Sequence, residues 1–82
     1  MIKVLLFAQL RELLNCGKIE VPVSRSITVA ELKTQLAAQG DRWHLLFSEQ
    51  PVLVAVNQVL SDDHHYLTAG DEVAFFPPVT GG

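Results

Sequence analysis

The chain has 82 residues, 49% of them apolar and 18% charged, and a formal net charge of −3 at pH 7. This length allows one small domain. No basic stripe is present to bind phosphates, and no apolar stretch approaches the roughly 20 residues of a membrane-spanning helix, so neither nucleic acid nor membrane is an expected partner. A single cysteine excludes an internal disulfide, and a strand pattern begins directly after Met1 without a cationic leader, so we expect a cytoplasmic protein.

The N-terminal part of the chain is predicted to contain two strands and a short helix. Residues 2–8 are apolar on both faces of a strand pattern apart from Lys3, which is typical of a central strand. Residues 9–14 predict a short helix that ends before Gly17. Residues 18–23 predict a second strand, and Pro22 favours an edge or an end position there, because proline cannot donate to a sheet ladder.

The clearest helix signal begins at Thr28. The Thr28 side chain can accept from the backbone N–H of Glu31, while the Glu31 carboxylate can accept from the N–H of Thr28, which is a capping box. An apolar stripe with helical spacing follows: Val29, Leu32 and Leu36. Gly40 is expected to end this helix as the residue after its C-cap.

The C-terminal half is predicted to be mostly short strands. In chain order we expect a short helical turn over 42–47 capped by Asp41, a strand over 52–56, a turn at Asn57 and Gln58, a strand at 59–60, a polar loop over 61–65, a turn over 67–71 and a last strand over 71–76. Asn57 suits a positive φ, whereas Gln58 is less favourable than the glycine of a strong hairpin signal.

The order β–β–α–β–β predicts an α+β fold, the β-grasp or ubiquitin-like roll. Its mixed sheet has parallel, central first and last strands and one main helix that covers one face. We assign residues 1–77 to this domain and residues 78–82 to a flexible, extended C-terminal tail. One face of the sheet stays partly open, and the period of two decides which residues lie on it.

The strand period separates two sets of residues. Val4, Leu6, Ala8, Val73 and Phe75 are expected to face the helix, whereas Leu5, Phe7, Ala74 and Phe76 are expected to face outwards. Phe7 and Phe76 would then form an exposed patch near the start of the tail, with Leu60 as a weaker addition, and this patch is the predicted partner interface. A register shifted by one residue would instead place these side chains in the core.

The tail itself is Pro78, Val79, Thr80, Gly81 and Gly82, and it carries no charged side chain. The two prolines at 77 and 78 predict that it projects from the fold, with a reach of roughly 15 Å at about 3.3 Å per residue. Two terminal glycines make a thin tip that can enter a narrow channel and present the α-carboxylate there. The alternative is an ordinary frayed end.

Four segments carry a resemblance to a known family: MIKVLLFAQLREL, AAQGDRWHL, AVNQ and GDEVAFFPPVTGG. In this order and spacing they resemble the small subunits of bacterial molybdopterin synthase, which are ubiquitin-like sulfur carriers. The similarity extends from Met1 to Gly82 and is weaker over residues 15–27 and 47–51. The GDEVAFFPPVTGG end is much more specific than two glycines alone.

The resemblance implies a mechanism that acts on Gly82. An ATP-dependent adenylating enzyme would join AMP to its carboxylate, and a sulfur donor system would convert the adenylate to a thiocarboxylate. Residues 78–81 would thread into the large subunit, where the sulfur passes to cyclic pyranopterin monophosphate and builds the dithiolene of molybdopterin. The family's assembly has two large and two small subunits. The small subunit would be non-catalytic, with no stably bound cofactor, and the catalytic side chains would belong to the large subunit.

Two other functions remain open at this stage. One is a sulfur carrier for thiamine synthesis or tRNA thiolation, and the other is a ubiquitin-like binding module or modifier without sulfur chemistry. Elsewhere, the Asp62–His65 stretch contains metal-ligand types, but adjacent residues point apart, so a solvated loop and no metal site are expected. Cys16 has no nearby activating histidine in the sequence and is interpreted as incidental.

Overall fold

The structure is a computed structural model, and it describes residues 1–78. Within these residues the chain forms seven strands and three helices. The strands are β1 (Ile2–Leu6), β2 (Lys18–Val21), β3 (Ile27–Thr28), β4 (Leu53–Val56), β5 (Val59–Ser61), β6 (Tyr66–Leu67) and β7 (Glu72–Phe76). The helices are α1 (Ala8–Leu14), α2 (Val29–Ala37) and α3 (Asp41–Glu49).

The main sheet has the strand order β2-β1-β7-β4-β5. Strands β1 and β7 pair in parallel at its centre, and the other neighbours are antiparallel. Strands β3 and β6 form a separate two-stranded ladder. The predicted α+β β-grasp fold, with its mixed sheet and central parallel pair, is confirmed. Strand β2 lies at an edge and ends just before Pro22, as the proline predicted.

Two short-range features set the ends of α1. The strand pattern before it stops earlier than predicted, because β1 ends at Leu6 and Ala8 has a φ of 52° at the helix start. Ala8 is exposed, so its predicted inward position is wrong. The helix ends at Asn15, which adopts the left-handed conformation and donates its N–H to the carbonyls of Arg11 and Glu12. Asparagine tolerates this conformation better than most residues.

The capping box at the start of α2 is confirmed. The Glu31 N–H donates to Thr28 Oγ1, and the Thr28 N–H donates to Glu31 Oε1, both at 3.1 Å. The hydrogen bond from Thr28 holds the pKa of Glu31 below its usual value, with a smaller contribution from Arg25. The predicted apolar stripe of α2 is fully buried: Val29, Leu32 and Leu36.

The second half of the helical layer differs from the expectation. Helix α2 ends at Ala37 with Ala38 as its C-cap, so Gly40 does not end it. Gly40 is instead the N-cap of α3, and the Gly40 carbonyl accepts from the His44 N–H at 3.0 Å. The predicted cap, Asp41, is the first residue of α3, and among the described residues no side chain caps this helix start. Helix α3 is nine residues long, more than the predicted short turn. It packs on the core through Leu46 and through Phe47, whose ring meets Phe75 edge-on with centroids 5.1 Å apart.

The predicted turn between β4 and β5 is present. Asn57 and Gln58 both have positive φ values, 49° and 70°, as the two-residue hairpin turn requires. Asn57 also bonds to the start of β7: its side-chain oxygen accepts from the Glu72 N–H at 3.0 Å, and its amide donates to Asp71 at 3.1 Å. These bonds link the hairpin to the central strand and support the register of β4 on β7.

Candidate functional site

The two central strands present opposite sets of side chains to the two faces of the main sheet. Val4, Leu6, Val73 and Phe75 are at most 1% exposed and face the helices. Leu5, Ala74 and Phe76 are half-buried on the other face, and Phe7, at the end of β1, is 47% exposed. The predicted register of both strands is therefore confirmed, and the register shifted by one residue is excluded.

Strand pairing brings the outward residues of four strands together. One row across the sheet, defined by Cα pairing, is Leu5, Ala74, Ala55 and Leu60. In the next row Leu53 lies opposite Phe76, and the Phe7 N–H donates to the carbonyl of Phe75 at 3.2 Å. Neighbouring strands are about 4.8 Å apart, so these side chains are contiguous. We call this surface the sheet patch: Leu5, Phe7, Leu53, Ala55, Leu60, Ala74 and Phe76.

The opposite end of the same open face is charged. In the strand register Lys3 lies opposite Glu20 on β2 and opposite Glu72 on β7. Because β1 and β7 are parallel, both run from this charged end towards the apolar end, and β7 finishes beside Phe7. The chain therefore leaves the sheet next to the sheet patch, as the sequence predicted.

The first part of the predicted tail stays close to the domain. Pro77 and Pro78 are both half-buried, so the chain does not project freely directly after β7. The other predicted tail residues, Val79, Thr80, Gly81 and Gly82, lie outside the described residues. Their threading into a partner and the chemistry at Gly82 remain predictions.

The structure brings the three predicted interface residues to one face. Phe7 and Phe76 are neighbours, and Leu60, which is 68% exposed, extends the patch across β5. Sequence reasoning missed Leu53, which is 39% exposed, and the small side chain of Ala55. The alternation along β4 was a usable signal, but only the pairing of Leu53 with Phe76 shows that it joins the patch. That the patch binds a partner remains a prediction.

The Asp62–His65 stretch and Cys16, for which no function is predicted, make local contacts. In the loop between β5 and β6, Asp62 accepts from the His64 N–H at 2.9 Å, and Asp63 pairs with Lys33 at 2.7 Å. Cys16 is half-buried, with its sulfur 3.3 Å from the carbonyl of Lys18. In the part of the chain that the structure describes, no three His, Cys, Asp or Glu residues are grouped as a metal site, and no helix is long and apolar enough to cross a bilayer.

Fold and surface together define a small β-grasp protein whose C-terminal strand ends beside an exposed apolar face. The chain belongs to the ThiS family, whose model matches residues 4–82. It is 55% identical to the molybdopterin synthase sulfur carrier subunit of Escherichia coli (strain K12) over 82 residues, covering all of both chains. Identity to the subunit of the same name from Haemophilus influenzae is 43%, again over the full length of both. The resemblance drawn from the four sequence segments is thereby confirmed.

Solved structures show the same fold. The crystal structure of SAMP1 from Haloferax volcanii superposes with a TM-score of 0.81 at 27% identity, covering 99% of this chain and 98% of that one. In a complex of subunits 1 and 2 of molybdopterin-converting factor from Helicobacter pylori, the matched chain gives a TM-score of 0.68 at 23% identity, covering 99% of this chain and 97% of that one. At that identity the likeness concerns the fold alone.

Proposed function

We propose that this protein is the sulfur carrier subunit of a molybdopterin synthase. The observation that carries the proposal is the 55% identity, over the full length of both chains, to the Escherichia coli subunit of that name. The same function was predicted from the four sequence segments. The geometry is consistent with it, because the C-terminal strand ends beside an apolar surface on which a partner can be seated.

The proposed chemistry takes place at the carboxylate of Gly82. A carboxylate oxygen is a poor leaving group, so an ATP-dependent enzyme first forms an acyl-adenylate and releases pyrophosphate. Sulfide delivered by the sulfur donor system then attacks the acyl carbon, a C–S bond forms, the acyl C–O bond to the phosphate breaks, and AMP leaves with that oxygen. The resulting thiocarboxylate is nucleophilic at sulfur, as thiolates are. Its sulfur forms a C–S bond to cyclic pyranopterin monophosphate in the large subunit, where a C–O bond of the acceptor breaks. Water then cleaves the acyl C–S bond, which leaves the sulfur on the pterin and regenerates the carboxylate, and two such transfers supply the two sulfurs of the dithiolene.

Each residue of the tail has a role in this proposal. Gly81 and Gly82 keep the tip narrow, because any side chain would widen it. Val79 and Thr80 supply apolar and hydrogen-bonding contacts that position the end group, and Pro78 directs the chain away from β7. The bound channel keeps bulk water from the reactive acyl group until the sulfur has been transferred. The catalytic side chains belong to the partner, and this chain supplies the reacting terminus.

The proposed partner at the sheet patch is the large subunit of the synthase. The patch is contiguous, apolar and adjacent to the C-terminal exit, so one protein can bind the patch and receive the tail together. The Helicobacter pylori structure is a complex of subunits 1 and 2 of molybdopterin-converting factor. An assembly of two large and two small subunits, a separate adenylating enzyme, a sulfur donor system and a cytoplasmic location complete the proposal.

A second candidate is a protein modifier. The structural neighbour from Haloferax volcanii is a small archaeal modifier protein. A modifier would join its terminal carboxylate to an amine, whereas a sulfur carrier would return to a free carboxylate after each turnover. A carrier for another thiolation pathway would share the chemistry at Gly82 and differ in its acceptor.

The test is an intact-mass measurement followed by transfer. The purified chain is incubated with ATP, the adenylating enzyme and a sulfur source, and we expect one oxygen at Gly82 to be replaced by sulfur. The thiocarboxylated chain is then mixed with the large subunit and cyclic pyranopterin monophosphate, and molybdopterin is measured. An unmodified terminus, under conditions where the Escherichia coli subunit is converted, would contradict sulfur carriage.

Deletion of Gly82 provides the matched variant. We expect it to abolish sulfur transfer while leaving the unfolding midpoint and the affinity for the large subunit nearly unchanged, because the sheet patch is intact. A one-residue extension after Gly82 is expected to behave in the same way, since it moves the carboxylate from its position. Normal molybdopterin formation by either variant would defeat the tail mechanism.

A further inference from the structure

A second exposed apolar surface lies on the helical layer. Leu13 on α1 is 51% exposed and Leu45 on α3 is 55% exposed. They line a shallow depression of about 570 Å³ together with Arg42, Leu46, Glu49 and Gln50. We call these residues the helix patch. It is separate from the sheet patch, because the helices cover the other face of the main sheet.

The outward stripe of α3 has a regular order of charges. Arg42, Leu45 and Glu49 follow the i, i+3, i+7 spacing, which places them on one side of a helix. At 1.5 Å per residue the two charged residues are about 10.5 Å apart along the axis, with Leu45 near the midpoint. All three are exposed, and the two ion pairs found within residues 1–78, Arg25–Glu31 and Lys33–Asp63, do not involve the charges of this stripe.

We propose that the helix patch is the contact surface of a weak homodimer. In this dimer two copies pack α3 against α3 in antiparallel orientation about a twofold axis near Leu45. Arg42 of each copy then lies opposite Glu49 of the other, and the leucines of both copies meet at the centre. A twofold contact requires a surface that complements itself, and a positive–apolar–negative stripe does so only when it is reversed.

The size of the patch limits the strength of this dimer. Two exposed leucines and the stems of two charged side chains bury much less than the 1,200–2,000 Å² typical of stable interfaces, so association is transient and depends on concentration. The sheet patch lies on the other face of the main sheet and takes no part in this contact. The dimer is therefore compatible with the proposed binding of the large subunit and does not depend on it.

Sedimentation velocity on the full chain at low salt, at concentrations up to about 1 mM, tests the proposal. We expect the average mass to rise with concentration. Arg42→Glu and Glu49→Arg should each weaken association about 10-fold or more, because like charges then face each other. The Arg42→Glu/Glu49→Arg double variant should return to within about 3-fold of the wild-type affinity, since both pairs are restored with reversed sign.

Leu45→Ser and Leu60→Ser form the matched pair of controls. The first removes the centre of the helix patch and should weaken association, whereas the second changes the sheet patch and should leave it unaltered. Circular dichroism establishes that every variant is folded. The proposal is overturned if the wild-type chain stays monomeric at about 1 mM, if the double variant fails to regain affinity, or if Leu60→Ser alone weakens association.

Discussion

The two faces of the main sheet are built from the same strands and differ in almost every other respect. Alternate residues of β1 and β7 point to opposite faces, so that Phe75 is fully buried while its neighbour Phe76 lies on the open face. The buried face contributes to stability through area removed from water. The open face keeps apolar area exposed to solvent, and this is the face on which we propose that a partner binds. Adjacent residues in one strand thus lie in different environments.

The open face is itself divided along the strand direction. Its beginning is charged, with Lys3 between Glu20 and Glu72, and its end is the apolar sheet patch. The parallel pairing of β1 and β7 places the C-terminal exit at the apolar end. An antiparallel central pair would have separated the exit from Phe7. The position of the exit is therefore a consequence of topology and of the alternation together.

The largest expected effect is on the buried face. Phe75→Ala removes a ring that packs edge-on against Phe47, and we expect it to lower the free energy of unfolding by about 3–5 kcal/mol. Urea denaturation followed by circular dichroism measures this. If the alanine variant does not fold, Phe75→Leu, with an expected cost of about 1 kcal/mol, keeps the effect measurable. Unchanged stability in both variants would contradict the conclusion that the buried face of the sheet stabilises the fold.

Phe76→Ala is the matched variant on the open face. We expect it to change the free energy of unfolding by less than about 1 kcal/mol and to weaken binding of the large subunit about 10-fold or more, because an exposed apolar anchor acts mainly in the complex. Phe7→Ala should behave similarly. Isothermal titration calorimetry with the large subunit provides the affinity.

Lys18→Ala, on the outward row of β2 beside Leu5, provides the control for this binding experiment. It changes the edge of the open face and leaves the sheet patch intact, so the affinity should stay within about 3-fold of wild type. A large loss of stability in Phe76→Ala with unchanged binding would place the Phe76 ring in the core. It would contradict the assignment of Phe76 to the open face.

The smallest expected effect concerns the cap of α2, the helix that covers the buried face. The pKa of Glu31 is lowered in the folded state, chiefly by the Thr28 N–H. Stabilisation by this carboxylate is therefore fully present above the ordinary glutamate pKa and is lost as the pH falls through the lowered value. Glutamine retains an acceptor at this position but does not titrate there.

Urea midpoints measured from neutral to acid pH test this sign. We expect the urea midpoint of the wild-type chain to be slightly higher than that of Glu31→Gln at neutral pH. This difference should disappear at acid pH. A difference that is constant with pH, or that grows on acidification, would show that the ionised carboxylate does not stabilise the cap.

Features that depend on neighbours in the chain could be predicted from the sequence. Four such features rest on a spacing of a few residues, and each is confirmed. They are the capping box at Thr28, the apolar stripe of α2, the turn at Asn57, and the alternation of inward and outward side chains along β1 and β7. Three local expectations were wrong. Gly40 begins α3 and does not end α2, Asp41 is the first residue of α3 and not its cap, and Ala8 belongs to α1. The reason is that a glycine or a short apolar run is compatible with either neighbouring element.

Features that depend on pairing between distant segments required the tertiary structure. The sequence by itself determined the fold class, the family and the outward positions of Phe7 and Phe76, because periodicity, capping and a specific C-terminal motif are written along the chain. Only the tertiary structure decided that Leu53 and Ala55 complete the sheet patch, and that Leu13 and Leu45, on two different helices, line one depression. The physical reason is that strand register and helix packing are set by long-range burial, which no spacing within one segment specifies.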